Sequence, residues 1–161
     1  MRVGLGYDIH RLGADRPLVL GGLTFAGQPG LFGHSDADAV MHAVADAILG
    51  ACCLGDIGHH FPDTDPAWRD ADSTEILAAV VRMARERRGL APLNVDVNVI
   101  AERPRLAPRR DEMRARLAQL LAVPADAVSV KARTSEGLGP VGRGEAIAVQ
   151  AVVLMDSPGT G

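Results

Sequence analysis

Between Ala146 and Met155 every residue except Gln150 is apolar. A run of that length is about half of what a membrane-crossing helix needs, so it reads as a strand buried on both faces. Such a strand obliges the rest of the chain to supply neighbours beside it and cover above and below it. Val3, Leu5, Tyr7 and Ile9 alternate with Gly4, Gly6, Asp8 and His10, the period of a strand with one buried face. The apolar set is expected inside, with Asp8 and His10 together on the opposite face. Val95, Val97 and Val99 alternate with Asp96, Asn98 and Ile100, and Val128 to Ala132 forms a short strand. Leu18 to Leu20 and Leu23 to Phe25 flank Gly21-Gly22, a dipeptide that supplies the positive φ of a tight hairpin.

A helix is predicted from Ser35 or Asp36 to Leu49, with Val40, Val44, Ala47 and Ile48 on its apolar side and Gly50 just beyond. Asp38, His42 and Asp46 recur at every fourth residue and line one stripe of it. A second helix runs to Arg88, opened by Asp72 with Glu75 spaced for a capping box and closed by Gly89; a third ends at Leu121. Gly55 to Asp72, Ala101 to Pro108 and Thr134 to Gly144 read as loops. This order predicts one α+β domain over residues 1–156 and a frayed tail from Ser157 to Gly161. With 161 residues, 47% of them hydrophobic, one core is expected rather than two.

The net charge of −3 gives no electrostatic reason to expect nucleic acid or an anionic membrane as partner. With 3% aromatic residues, a nucleotide ring would have to be gripped by backbone and aliphatic contacts. Cys52 and Cys53 are adjacent and make no framework of spaced disulfides, which fits a reducing compartment. The first ten residues lack the apolar stretch of a signal peptide, and a cytoplasmic protein is expected.

Asp8 and His10, two apart on a strand, project the same way about 7 Å apart along the backbone, and a carboxylate and an imidazole so placed can converge on one divalent ion. His42 could add a third ligand and leave a position open for water or a phosphate oxygen. Two imidazoles favour zinc over magnesium. Asp46, one turn after His42, either orients that imidazole or solvates the helix. The same three residues also read as a turn former, a surface histidine and a core histidine, and spacing alone does not choose. His34-Ser35-Asp36 sits where free N–H groups at a helix start would attract a phosphate, or where a helix cap belongs. Asp63 and Asp65 could accept bonds from a polyol or merely hold a proline-flanked turn. Gly137-Leu138-Gly139-Pro140-Val141-Gly142 matches the dinucleotide fingerprint in letters, but a strand follows it, so the match fails. That loop could still bring N–H groups to phosphates, with Glu136 on a magnesium ion, or be a plain hairpin loop. His59 and His60 read as diverging surface residues.

Taken together, Gly6-Tyr7-Asp8-Ile9-His10, Gly33-His34-Ser35-Asp36-Ala37-Asp38, His42, Leu54-Gly55-Asp56-Ile57-Gly58, Phe61-Pro62-Asp63-Thr64-Asp65 and Gly142-Arg143-Gly144-Glu145 resemble, in order and spacing, the signature blocks of the 2-C-methyl-D-erythritol 2,4-cyclodiphosphate synthase family. The resemblance runs from near residue 1 to about residue 155. It implies that Asp8, His10 and His42 bind a transition metal, zinc by preference. It also implies that Glu136 helps hold magnesium or manganese on a diphosphate, and that His34 and Thr134 stabilise the transition state. Ser35, Asp56, Gly58, Asp63 and Asp65 would surround a methylerythritol phosphate, and Ile57, Phe61, Ser135 and Arg143 would also bind the substrate. Ala101, Pro104, Arg105, Leu106, Ala132 and Arg133 would hold a cytidine diphosphate moiety.

The implied reaction is attack of a 2-phosphate on a β-phosphorus within one cytidine diphosphate-linked substrate, releasing cytidine monophosphate. It calls for charge neutralisation and in-line geometry rather than an activated Ser or Cys. The family is homotrimeric, which implies a mixed sheet with helices on one face, packed about a three-fold axis with sites between subunits. Arg143 and Glu145 either line that axis or form a surface ion pair. Two departures stand out: Pro140 where the family often carries an aromatic residue, and Arg105 where it carries Lys. A metal-dependent phosphohydrolase and a non-catalytic trimeric binding module are the rival readings.

Overall fold

The computed structural model describes residues 1–157, so the frayed tail expected from Ser157 onward lies, beyond Ser157 itself, outside the described residues. Five strands, β1 (Arg2–Leu20), β2 (Leu23–Leu31), β3 (Ala91–Ile100), β4 (Val128–Arg133) and β5 (Ala146–Asp156), form one sheet in the order β2-β1-β5-β3-β4. Only β3 and β4 run parallel, so the sheet is mixed. β1 serves two partners: Arg2 to Arg11 pair with β5, and Leu12 to Leu20 pair with β2 across irregular register. The hairpin expected at Gly21-Gly22 is the end of this longer ribbon, and both glycines have the positive φ it requires.

Three helices, α1 (Ala39–Ala51), α3 (Ser73–Arg88) and α4 (Arg110–Leu121), enclose the main core, and α1 packs on β1 and β5. Two single turns, α2 (Ile57–His60) and α5 (Gly139–Gly142), interrupt stretches read as loops. Helix α3 has its expected limits: the Asp72 side chain accepts from Thr74 N–H, and Gly89 ends the helix with a left-handed φ of 62°. Strand β5 is buried on both faces only from Ala146 to Val149; Gln150 and Val152 face out. The reason is α5, whose Val141 packs on Ala146 and Ala148 and covers just that end of the second face. The expectation that every helix lies on one face holds for the three long helices and fails for this turn.

Two further expectations are corrected. The buried face of β1 is the opposite of the one expected: Gly4 and Gly6 are buried, while Val3, Leu5, Tyr7 and Ile9 are exposed, Leu5 by 69%. A Cβ added at Gly6 would lie 1.9 Å from the Ala43 carbonyl oxygen, and one at Gly4 1.8 Å from that of Ala47. The helix backbone thus rests directly on the strand, and hydrogen is the only side chain that fits there. Helix α1 starts at Ala39, not at Ser35 or Asp36, because Asp38 is its cap. The buried Asp38 carboxylate accepts from the N–H groups of Val40 and Met41 and also of Gly21 and Gly22, tying the hairpin turn to the helix. Those donors are therefore not free for a phosphate.

Candidate active site

The close seat of α1 on β1 brings His42 against Asp8 and His10, which lie on the same face as Gly4 and Gly6. Asp8 Oδ2 is 2.9 Å from His10 Nε2 and 3.1 Å from His42 Nδ1, and the two ring nitrogens are 3.2 Å apart. Each ring is held from behind. His10 Nδ1 donates to the Phe32 carbonyl at 2.7 Å, and His42 Nε2 lies 2.9 Å from Ser73 Oγ and 3.1 Å from Ser35 Oγ. With His10 carrying its hydrogen on Nδ1, its Nε2 turns a lone pair toward the Asp8 carboxylate.

Three acceptor-type atoms meeting at such distances repel one another unless a cation sits among them. Burial opposes the charge on Asp8, but with a proton shared among the three groups the facing ring nitrogens of His10 and His42 outweigh it and hold the carboxyl well below the usual carboxylate range. Burial likewise opposes an imidazolium at His10, yet the Asp8 carboxylate and the Phe32 carbonyl raise its pKa above that of a free imidazole. A proton can therefore serve as the cation. One carboxylate and two imidazoles whose far nitrogens are already hydrogen-bonded fit a divalent transition metal equally well.

The cluster opens into a cavity of about 370 Å³, whose walls include His34, Ser35, Ile57, Gly58, Phe61 and Asp63, together with Pro62, Trp68 and Ile76. His34 Nε2 donates to the Asp65 carbonyl at 3.1 Å. Two residues expected around the polyol do not line this cavity: Asp56 caps α2 through His59 N–H, and Asp65 caps a short 3-10 turn through Ala67 N–H. Ser35 is buried and its hydroxyl is taken up by His42, Ser73 and Ala37 N–H. Asp46 neither orients His42 nor merely faces solvent; it accepts from Ile57 N–H and fixes the loop that carries Ile57 and Gly58.

A second cavity, of about 210 Å³, gathers Ala101, Pro104, Arg105, Leu106, Ala132, Arg133 and Thr134, and shares no residue with the first. Thr134 Oγ1 donates to Glu136 Oε1 at 2.8 Å, and Ser135 N–H donates to Glu102. Arg143 pairs with Glu145 at 2.8 Å on the surface. His59 is exposed, and His60 Nε2 donates to the Leu54 carbonyl, away from the cluster. Sequence reasoning missed Ser73 and Arg16. Ser73 reads only as the first residue of a helix. Nothing marks Arg16, whose guanidinium donates to the carbonyls of Leu31, Gly33 and Ser35 and so holds the segment bearing His34.

The profile of the YgbB family matches residues 1–156. The chain belongs to the YgbB family. Within the family, 2-C-methyl-D-erythritol 2,4-cyclodiphosphate synthase of Salinibacter ruber is 56% identical over 157 residues, covering 98% of this chain and 99% of the relative. A solved 2C-methyl-D-erythritol-2,4-cyclodiphosphate synthase in its CDP-bound form superposes with a TM-score of 0.88 at 42% identity, covering 96% of this chain and all of the other. The bifunctional IspDF of Campylobacter jejuni gives a TM-score of 0.93 at 39% identity; this chain spans 42% of that one. No helix among the described residues is long and apolar enough to cross a membrane.

Proposed function

We infer that this chain catalyses the reaction for which its YgbB relatives are named, the closure of 2-C-methyl-D-erythritol 2,4-cyclodiphosphate in isoprenoid synthesis. Its substrate is 4-diphosphocytidyl-2-C-methyl-D-erythritol 2-phosphate. An oxygen of the 2-phosphate forms a bond to the β-phosphorus, and the bond from that phosphorus to the oxygen bridging toward the α-phosphorus breaks. Cytidine monophosphate leaves with that oxygen, and no water is consumed. The observation that carries this reading is the convergence of Asp8, His10 and His42 at the mouth of a cavity walled by His34 and Asp63, in a chain with such close relatives.

Asp8, His10 and His42 would hold one divalent transition metal, zinc by donor chemistry, and Glu136 a magnesium or manganese ion, both neutralising phosphate charge when bound. The chain's own residues do the rest. Ile57, Gly58 and Phe61 wall off the methylerythritol phosphate and limit access of water, whose attack on the diphosphate is the competing outcome. His34, its ring anchored on the Asp65 carbonyl, faces the transferring phosphorus from one side, and Thr134 from the other. The cytidine moiety occupies the cavity of Ala101, Leu106 and Ala132, with Arg105 and Arg133 at its rim.

His34 and Thr134 line different cavities of one chain, which supports a site completed by a neighbouring subunit. The exposed apolar stripe of Val3, Leu5, Tyr7 and Val152 supports burial of that sheet face in a homotrimer about a three-fold axis. A cytoplasmic setting goes with a charged nucleotide-linked substrate. Phosphorus NMR of the reaction tests the whole reading: a cyclic diphosphate and cytidine monophosphate are expected. Linear products carrying solvent oxygen would make the chain a phosphohydrolase, and tight binding without turnover would make it a binding module.

A further inference from the structure

We propose that Ser73 is a positioning residue of the metal centre, passing the charge of Asp36 to the His42 imidazole; this rests on reading Asp8, His10 and His42 as that centre. Ser73 is the first residue of α3 and fully buried, yet its hydroxyl does not cap the helix, since Asp72 does that. The hydroxyl instead touches His42 Nε2 at 2.9 Å, Ser35 Oγ at 3.1 Å and the Asp36 carboxylate.

One assignment of hydrogens satisfies every contact at once, including the 3.1 Å approach of Ser35 Oγ to His42 Nε2. A carboxylate has none to give, so Ser73 O–H points at Asp36. Ser35 Oγ accepts from Ala37 N–H and gives its own hydrogen to Ser73. Ser73 Oγ then presents a lone pair to the imidazole, which must carry its hydrogen on Nε2. The Nδ1 of His42 is left as a bare donor atom aimed at Asp8 and His10. A carboxylate, a hydroxyl and an imidazole thus stand in line behind the ligand atom, the arrangement that orients a ligating histidine and raises its basicity. Asp36 is itself fixed, its N–H bonded to the Ala71 carbonyl and its carboxylate accepting from Ser73 N–H and Asp38 N–H. Two segments far apart in sequence are thereby locked around one ring nitrogen.

Substituting Ser73→Ala removes the hydroxyl and leaves the Asp72 cap in place. Zinc affinity of the full-length protein, measured by competition with a chromophoric chelator, is expected to fall about 10- to 100-fold. Ser73→Thr, which keeps the hydroxyl, restores most of it. At saturating zinc the variant keeps its KM and loses kcat, and with cobalt in place of zinc its visible absorption bands shift. Unchanged zinc affinity in Ser73→Ala overturns the relay while leaving the metal reading intact; absence of zinc binding in the unsubstituted protein overturns the metal reading itself. Thermal unfolding in excess chelator is the control: equal melting temperatures place the loss at the centre, whereas a metal-free variant that unfolds far earlier overturns positioning in favour of a packing role.

Discussion

The Asp8, His10 and His42 cluster and the cavity of Ala101 to Leu106 belong to the same proposed reaction but are built in opposite ways. The first is finished within one chain: its atoms meet, its rings are held from behind, and the hydroxyls that hold His42 are buried. The second is a shallow recess of mostly exposed residues, with Thr134 and Glu136 bonded to each other on the surface. A metal-type centre tolerates errors of only about 0.2 Å in donor position, so its support has to be internal. A nucleotide recess can be completed by whatever packs beside it. The lesson is that perturbing the first should act on the metal-type centre itself, and perturbing the second should act through binding.

The sharpest way to break that contrast is Gly6→Ala. The new methyl group would meet backbone atoms of Ala43 and Ala47, not a flexible side-chain tip. A loss of about 3 kcal/mol or more is expected, at the top of the range for overpacking, and with it the metal site; chemical denaturation and zinc content of the purified variant report both. Next, His42→Ala should cost at least ~100-fold in zinc affinity, more than loss of an outer partner, with turnover abolished and cytidine diphosphate binding retained by calorimetry. On the other side of the comparison, Ala132→Leu fills the second cavity. It should raise KM by about 10-fold, ~1.4 kcal/mol, and leave zinc affinity unchanged; a parallel loss of zinc would show that the two regions are not separable.

The smallest effect concerns pH. The folded state raises the His10 pKa, so the metal-free protein gains stability that is fully present below the unfolded imidazole value and is lost as pH rises through the folded one. Chelator-treated protein should therefore melt a few degrees lower above that window than below it, and added zinc should remove the difference. Melting curves across a pH series check it; a metal-free curve flat in pH would mean that no proton bridges the cluster.

Much of this was legible in the residues. The spacing of Asp8 and His10 on a strand, with His42 on the next helix, offered a meeting point as one of two readings, and the three side chains do converge; helix α3 was bounded correctly by Asp72 and Gly89. What misled was hydropathy. Val3, Leu5, Tyr7 and Ile9 look like a buried face, but period-two hydropathy does not tell a core face from an exposed apolar one. Gly4 and Gly6 look empty but mark the contact. Ser35 and Asp36 are good caps by type, and the helix begins three residues later because Asp38 satisfies two elements at once. The role of Ser73 depends on a contact with a residue 31 positions earlier, which no local pattern encodes.

The bareness of Gly4 and Gly6 has an evolutionary corollary. Because helix backbone lies on them, the strand works as a gauge that sets the depth at which every residue of α1 is presented to the cavity. The histidine at position 42 and the floor beneath it are bound together, and a lineage that lost either glycine would carry that ring at another depth and have to rebuild the pocket from a different spacing.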